Sequence, residues 1–182
     1  MYTLAIDTET NAKDVRYDPD FRMLGLSYAY RADDRTLVSR YLPIGHFGTG
    51  NIHRDVCLHE VQTCVGNADK IVFHNAGFDL QVILRGLGLD LSKTNWYDTM
   101  IMQHFVDENF PNKSLDFMAK IHLGKEKVHD QQMADFINGL GWGFIPVWLM
   151  EPYAKQDAVL TLELFEFLYP EFVRQGFDAR VH

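Results

Sequence analysis

YTLAID at residues 2–7, MLGLSYAYR at 23–31 and TLVSRYL at 36–42 are three short runs rich in β-branched and aromatic residues. Side chains of that kind pack well on a pleated surface, so each run reads as a strand. Turn chemistry separates them, with Pro19-Asp20 in the first gap and the tetrad Ala32-Asp33-Asp34-Arg35 in the second. Short connections of this sort predict an antiparallel three-stranded meander. The chain leaves it through a loop from Pro43 to Asn51 that carries three glycines.

Beyond the meander the periodicity changes. Val56, Leu58, Val61 and Val65 recur at helical spacing in residues 55–66, and KIVFHN at 70–75 reads as a short buried strand. A helix follows from Phe78 to the Gly86-Leu87-Gly88 stop signal. A brief extended piece at 95–97 predicts a fifth strand; helices are expected at 99–107, 114–122, 130–138 and 150 to about 175. That order predicts an α/β fold, a mixed five-stranded sheet flanked by helices rather than a pure Rossmann alternation. The 182 residues suit one domain, expected over 1–182.

Composition is that of a globular protein, with 47% hydrophobic and 23% charged residues. No apolar run approaches the roughly 20 residues that span a bilayer, and FIPVWLM at 144–150 is interrupted by Pro146. No membrane partner is expected. The first strand begins at Tyr2 with no basic and apolar leader before it, so a cytoplasmic or intracellular location is expected by default, compatible with a bacterial or viral origin. Cys57 and Cys64 lie seven apart on a predicted helix, about two turns, too far to bridge; they are expected to be reduced packing residues.

Three stretches carry chemistry: AIDTET with Asp7 and Glu9, HNAGFDLQ with Asp79, and YAKQDAVLTLEL with Tyr153 and Asp157. Asp7 and Glu9, two apart on a strand, leave the same face with Cα atoms about 7 Å apart, so both can reach one ion. A strand running out into a polar turn would give the same triplet. Asp79 falls in the first turn of a helix, where a carboxylate also has the ordinary task of stabilising the helix dipole. Tyr153 and Asp157 are four apart and lie within the helical stripe of Leu160, Leu164 and Leu168. A carboxylate on that buried side needs a partner, either a cation or a nearby Lys or Arg. Carboxylates gathered within about 4 Å of each other repel by roughly 4 kcal/mol per pair at an effective dielectric near 20, so a fold gathers them only around cations.

The joint pattern, D-x-E, then N-x-x-F-D after a strand, then Y-x-x-x-D in a late helix, resembles the DEDD 3′-to-5′ exonucleases. Tyr153 marks the DEDDy branch, since the position that holds histidine in the other branch is Pro152. The resemblance runs from residue 4 to about 170 and is closest to the proofreading domain of family A DNA polymerases. WYDTMIMQHFVDE at 96–108 and KSLDFMAKIHLG at 113–124 resemble further segments of that family. One departure is the apolar wedge usually found shortly after the first motif, where this chain has Lys13 and Val15.

The resemblance implies an RNase H-like fold and a two-metal-ion hydrolysis. Asp7, Glu9, Asp79 and Asp157 would hold two divalent cations, Mg²⁺ or Mn²⁺; Tyr153 would orient the attacking water; Thr8, Thr10, Asn75 and Phe78 would contact the substrate. The implied substrate is single-stranded or frayed DNA, released as nucleoside 5′-monophosphates, and the implied partner a DNA polymerase or other replication protein. Two alternatives stand beside it: an exoribonuclease of the ribonuclease D type, and a non-catalytic exonuclease-like module that binds a strand. The formal charge of −8 argues against a tight electrostatic grip on nucleic acid. Bound cations and recruitment by a partner would offset it.

Other residues carry smaller expectations. His46, His59, His104, His122 and His129 lack ligand spacing and read as satisfied histidines. Lys113, Lys120, Lys125 and Lys127 flank an expected loop and read as a solvated face, with phosphate contact as the alternative. Phe110, Phe136, Trp142 and Phe144 are core candidates, some able to stack on bases.

Overall fold

The computed structural model describes residues 1–11, 14–127 and 130–178; Lys13 and His129 lie outside the described residues. Five strands are found among them: β1 (Tyr2–Thr10), β2 (Met23–Arg31), β3 (Leu37–Pro43), β4 (Ala68–Phe73) and β5 (Trp96–Asp98). They form one sheet in the order β3-β2-β1-β4-β5. The first three are antiparallel neighbours, as the turn chemistry predicts, while β4 and β5 add in parallel on the other side of β1. Parallel addition needs crossovers, and the helices α1 (Arg54–Gly66) and α2 (Ala76–Leu87) supply them.

β1 is central and covered on both faces, which is why it lacks a clean apolar-polar alternation. Leu4 and Ile6 enter a core with Val61, Val82, Ile83 and Leu87 from α1 and α2. Ala5 points the other way, with Ala29 and Val72, into a core completed by Leu160, Leu164 and Phe165. The helices on that side are α3 (Thr99–Val106), α4 (Leu115–Met118), α5 (Gln131–Gly139) and the 28-residue α6 (Val147–Arg174). α6 crosses β1, β2 and β3, and the small Ala5 and Ala29 lie under it.

Several boundaries differ from the sequence reading. β1 continues past Asp7, with Glu9 paired to Gly25 and Thr10 to Met23 and a register shift between the two. α2 starts at Ala76 because Asn75 adopts a left-handed conformation (φ 70°) that ends the strand abruptly. The helix expected over 114–122 divides into α4 and a π-helical turn, Ala119–Leu123, closed by Lys125 N donating to the Ala119 carbonyl. α6 starts at Val147, three residues earlier than expected, and carries Pro152 within it. A proline there removes one helical hydrogen bond, an expense that the packing of Leu149, Met150 and Ala154 offsets.

Val15, in the position of the expected wedge, is buried in the α1–α2 core and so is no wedge. Cys57 and Cys64 are free thiols on α1. Among the described residues no helix is long and apolar enough to cross a membrane.

Candidate active site

Asp7 and Glu9 leave β1 on the face that α6 covers, and Asp157 meets them from the buried side of α6. One oxygen of each lies within 4.8 Å of the others, the only such set of potential metal ligands among the described residues. Asp79 comes from the first turn of α2, outside that set but tied to it, because Thr8 Oγ1 donates to Asp79 Oδ1 at 2.6 Å. The strand that presents Asp7 and Glu9 on one face thus uses the intervening residue, on the opposite face, to aim the fourth carboxylate.

α2 is held in place from an unexpected quarter. Its first amides are capped by Asp98 at the end of β5, which accepts from Asn75 N at 3.1 Å and Ala76 N at 2.8 Å. The same carboxylate caps α3 through Met100 N at 2.9 Å. Asp98 is buried and therefore fixes the angle at which α2 delivers Asp79.

Burial dominates the electrostatics. It pushes the Asp7 carboxyl well above the usual range, reinforced by Glu9, Asp157 and Asp79 and opposed by Lys127. Burial also raises Glu9 to about 8, with Asp157 adding to the shift. Asp79 rises to about 7 through burial against the pull of the Thr8 hydrogen bonds. Asp157 rises to about 6, burial again outweighing Lys127. Four carboxyls held this way cannot all ionise without added positive charge.

Lys127 supplies part of that charge, and the sequence reading of it as a solvated lysine is corrected here. Its side chain is 8% exposed, with the ammonium 2.7 Å from Asp157 Oδ2 and 3.1 Å from Asp116 Oδ1. Nζ also donates to the Tyr153 hydroxyl at 3.3 Å and sits 4.6 Å from the centre of its ring. Burial alone would lower its pKa, but the charges of Asp157 and Asp116 and the hydrogen bond to Asp157 win, and Lys127 stays protonated. A Lys or Arg was one of the two partners that a carboxylate in an apolar stripe demands. The signal in the sequence was the lysine-bearing stretch 113–127, but nothing local ranks Lys127 above its neighbours.

Those neighbours are engaged elsewhere. Lys120 pairs with Glu126, Lys125 with Glu163, and Lys113 donates to the carbonyls of Glu108 and Phe110. His46 is buried between the Tyr41 hydroxyl and the Ile145 carbonyl, and His122 is stacked between Phe110 and Phe167. Both are satisfied, as expected. Of the proposed substrate contacts, Thr8 is buried and committed to Asp79, Asn75 is exposed at the mouth of α2, and Phe78 packs partly against the α1–α2 core.

Asp157 Oδ1 is buried with no hydrogen-bond partner. An orphaned oxygen beside two further carboxylates, with one lysine facing the group, fits a hard divalent cation and its preference for oxygen ligands. Tyr153, held by α6 one turn before Asp157, has its phenol pushed upward by burial and by the Asp157 charge, so it is a neutral hydroxyl at physiological pH.

Comparisons with known proteins bear on the family and the fold. The model of a 3′-5′ exonuclease family matches residues 1–172. The DNA polymerase DpoZ of Salmonella phage PMBT28 is 28% identical over 183 residues, 94% of this chain, and the chain spans 27% of that polymerase's length. Among solved structures, Brucella melitensis NrnC with bound Mg²⁺ superposes with a TM-score of 0.67 at 16% identity, over 98% of this chain and 77% of that one. Trypanosoma brucei RNase D in complex with RNA U12 gives 0.66 at 15% identity, over 91% of this chain and 55% of that one. At such identities the likeness speaks for the fold, an RNase H-like mixed sheet flanked by helices. With its family matched over residues 1–172, the protein belongs to the 3′-5′ exonucleases of the family A DNA polymerase type.

Proposed function

We propose that this exonuclease removes nucleotides from the 3′ end of single-stranded or frayed DNA, releasing nucleoside 5′-monophosphates and serving a DNA polymerase as a proofreader. The observation that carries the reading is the meeting of Asp7, Glu9 and Asp157 within 4.8 Å. Asp7, Glu9, Asp79 and Asp157 would hold two divalent cations, Mg²⁺ or Mn²⁺, which when bound activate water and stabilise the leaving 3′-oxygen.

The chain's own groups supply the rest. Tyr153 keeps its proton and can donate it in a hydrogen bond, so it orients the attacking water without acting as its base. Thr8 restrains Asp79, and Asp98 restrains the helix that carries it. The relation to a phage DNA polymerase supports DNA as substrate and a polymerase as partner. The other reading, RNA as substrate, is favoured by the fold shared with the RNA-bound RNase D.

Matched DNA and RNA oligonucleotides carrying a 5′ label test both readings. With Mg²⁺ the DNA strand should shorten from its 3′ end one nucleotide at a time, and chelation should stop it. A preference for RNA of two orders of magnitude would exclude proofreading. Full activity in a chelator would exclude the metal mechanism.

A further inference from the structure

The arginines of this chain divide into two kinds. Arg31, Arg40 and Arg174 are ion-paired with glutamates. Arg22, Arg54 and Arg85 are exposed, and among the described residues no carboxylate oxygen lies within 4.0 Å of their side-chain nitrogens. Those three line one cavity of about 350 Å³, at the end of the sheet where β1 stops and β2 begins. On a chain of net charge −8, a gathering of guanidinium ions left without counter-charge is a local exception.

Each of the three is held by neutral partners. Arg54 Nε donates to the Gly86 carbonyl at 2.8 Å, and Arg85 donates to the carbonyls of Val15 and, at 2.9 Å, Asp18. The guanidinium of Arg22 lies 4.5 Å from the centre of the exposed Phe47 ring, and that of Arg85 lies 4.5 Å from the centre of Phe21. Carbonyls and rings fix the direction of a guanidinium without cancelling its charge, and they leave N–H groups of the fork unspent. The walls close this tightly because Gly45 and Gly86 lack side chains. A Cβ on the first would collide with the Met23 carbonyl, and one on the second with the Met23 sulfur.

We propose that this arginine notch grips the phosphodiester backbone of the DNA strand upstream of its cleaved end. The assignment rests on the reading of the carboxylate cluster as the point of hydrolysis. A planar fork of N–H donors matches phosphate oxygens, and positive charge is what a backbone requires. Position ties the notch to the cluster. Asp79 stands near the start of α2, and Arg85, six residues later, lies about 9 Å further along the axis. Met23 in the wall pairs with Thr10, the residue after Glu9, which puts it within about 10 Å of the Glu9 backbone. At about 3.4 Å of rise per stacked nucleotide, roughly three nucleotides cover such a span. The notch therefore meets the strand a few phosphates back from the bond being cut, where it adds hold without touching the reacting atoms. Phosphate contacts carry no sequence information, which suits an enzyme that must accept any strand.

The test measures binding of oligothymidylate and oligodeoxyadenylate, each of about twelve nucleotides with a 5′ fluorophore, by anisotropy with Mg²⁺ in the Asp7→Ala background, where strands should persist. Arg22→Gln, alone and together with Arg54→Gln, is compared with Arg35→Gln, an exposed arginine on the β2–β3 turn at the opposite end of β2. Loss of one phosphate contact should raise Kd by on the order of 5- to 10-fold at about 50 mM salt, lower the slope of log Kd against log salt by about 0.7, and do so equally for both sequences. The double variant should compound both losses, and Arg35→Gln should show neither. With Asp7 in place, the same substitutions should raise KM for the oligonucleotides and not for a dinucleotide, which is too short to span from the carboxylates to the notch. Arg22 braces no backbone carbonyl, so Arg22→Gln should melt with wild type and carries the test even where loss of the Arg54 brace harms folding. A Kd within about twofold of the background in Arg22→Gln would overturn the assignment, as would an equal loss in Arg35→Gln or an equal loss on the dinucleotide. Shortening of the strands by Asp7→Ala would instead overturn the reading of the carboxylates.

Discussion

Replacing Lys127 by methionine keeps the aliphatic stem and deletes the charge. At 2.7 Å and an effective dielectric near 20, the attraction between Lys127 and Asp157 is about 6 kcal/mol before desolvation is subtracted. Both side chains are 8% exposed, so solvent cannot take over the lost partner. Deleting one member of such a pair costs about 3–5 kcal/mol, on the order of 6 to 20 °C in Tm for a chain of this size. The loss should depend on pH. Asp157 is raised to about 6 even with Lys127 pulling it down, so without Lys127 its carboxyl is raised further; near about pH 8 the variant must hold it stranded as a charge or protonate it at a cost, whereas near about pH 5.5 it takes a proton readily. Thermal melts followed by circular dichroism in EDTA at those two pH values measure both effects. Added Mg²⁺ should recover more of the Tm in the variant than in wild type, since a cation replaces the missing counter-charge. A variant that melts within about 2 °C of wild type at the higher pH in EDTA would refute the role given to Lys127.

The wild-type chain in EDTA should lose stability as pH rises from about 4 to about 8, because Asp7, Glu9, Asp79 and Asp157 all hold protons more tightly folded than unfolded. Mg²⁺ should flatten the slope, and a Tm that climbs over that range without metal would contradict the shifts. Tyr153→Phe should lower turnover by about 10²-fold, while Mn²⁺ titration shows unchanged binding. Asp7→Ala should abolish cleavage, and equal rates from wild type and variant would end the metal assignment. Asp98→Ala strands the amide of the fully buried Ala76, at about 1–3 kcal/mol, and should weaken metal affinity as well, because Asp79 hangs from the freed helix. Chemical denaturation paired with Mn²⁺ titration separates those two losses.

The sheet was readable from sequence because β2 and β3 pair through tight turns and β4 is a compact apolar run, features that local pattern records. The pairing of Asp7 with Glu9 and of Tyr153 with Asp157 on single faces was legible because a spacing of two on a strand and of four on a helix translates directly into a shared face, whereas the position of Asp79 on α2 depends on the fold and not on spacing. Lys127 was not: its partner lies 30 residues away, and an isolated lysine carries no mark of burial. Asp98 escaped notice for a similar reason, since a cap ordinarily serves the helix that follows it and this one also serves a helix that precedes it by 22 residues. The start of α6, expected at 150, lies three residues earlier at Val147, and Pro152, the helix's sixth residue, is tolerated there by packing.

The register shift between Glu9 and Thr10 gives the first motif a form of insulation. Between Asp7 and Glu9, an inserted residue would turn one of the two carboxylates into the opposite core, since strand parity allows no intermediate setting. Downstream, the irregularity already absorbs a mismatch between neighbouring strands, so the connection to β2 can lengthen, shorten or change its chemistry. Substrate-handling features in that connection are free to diverge, while the distance between Asp7 and Glu9 stays fixed.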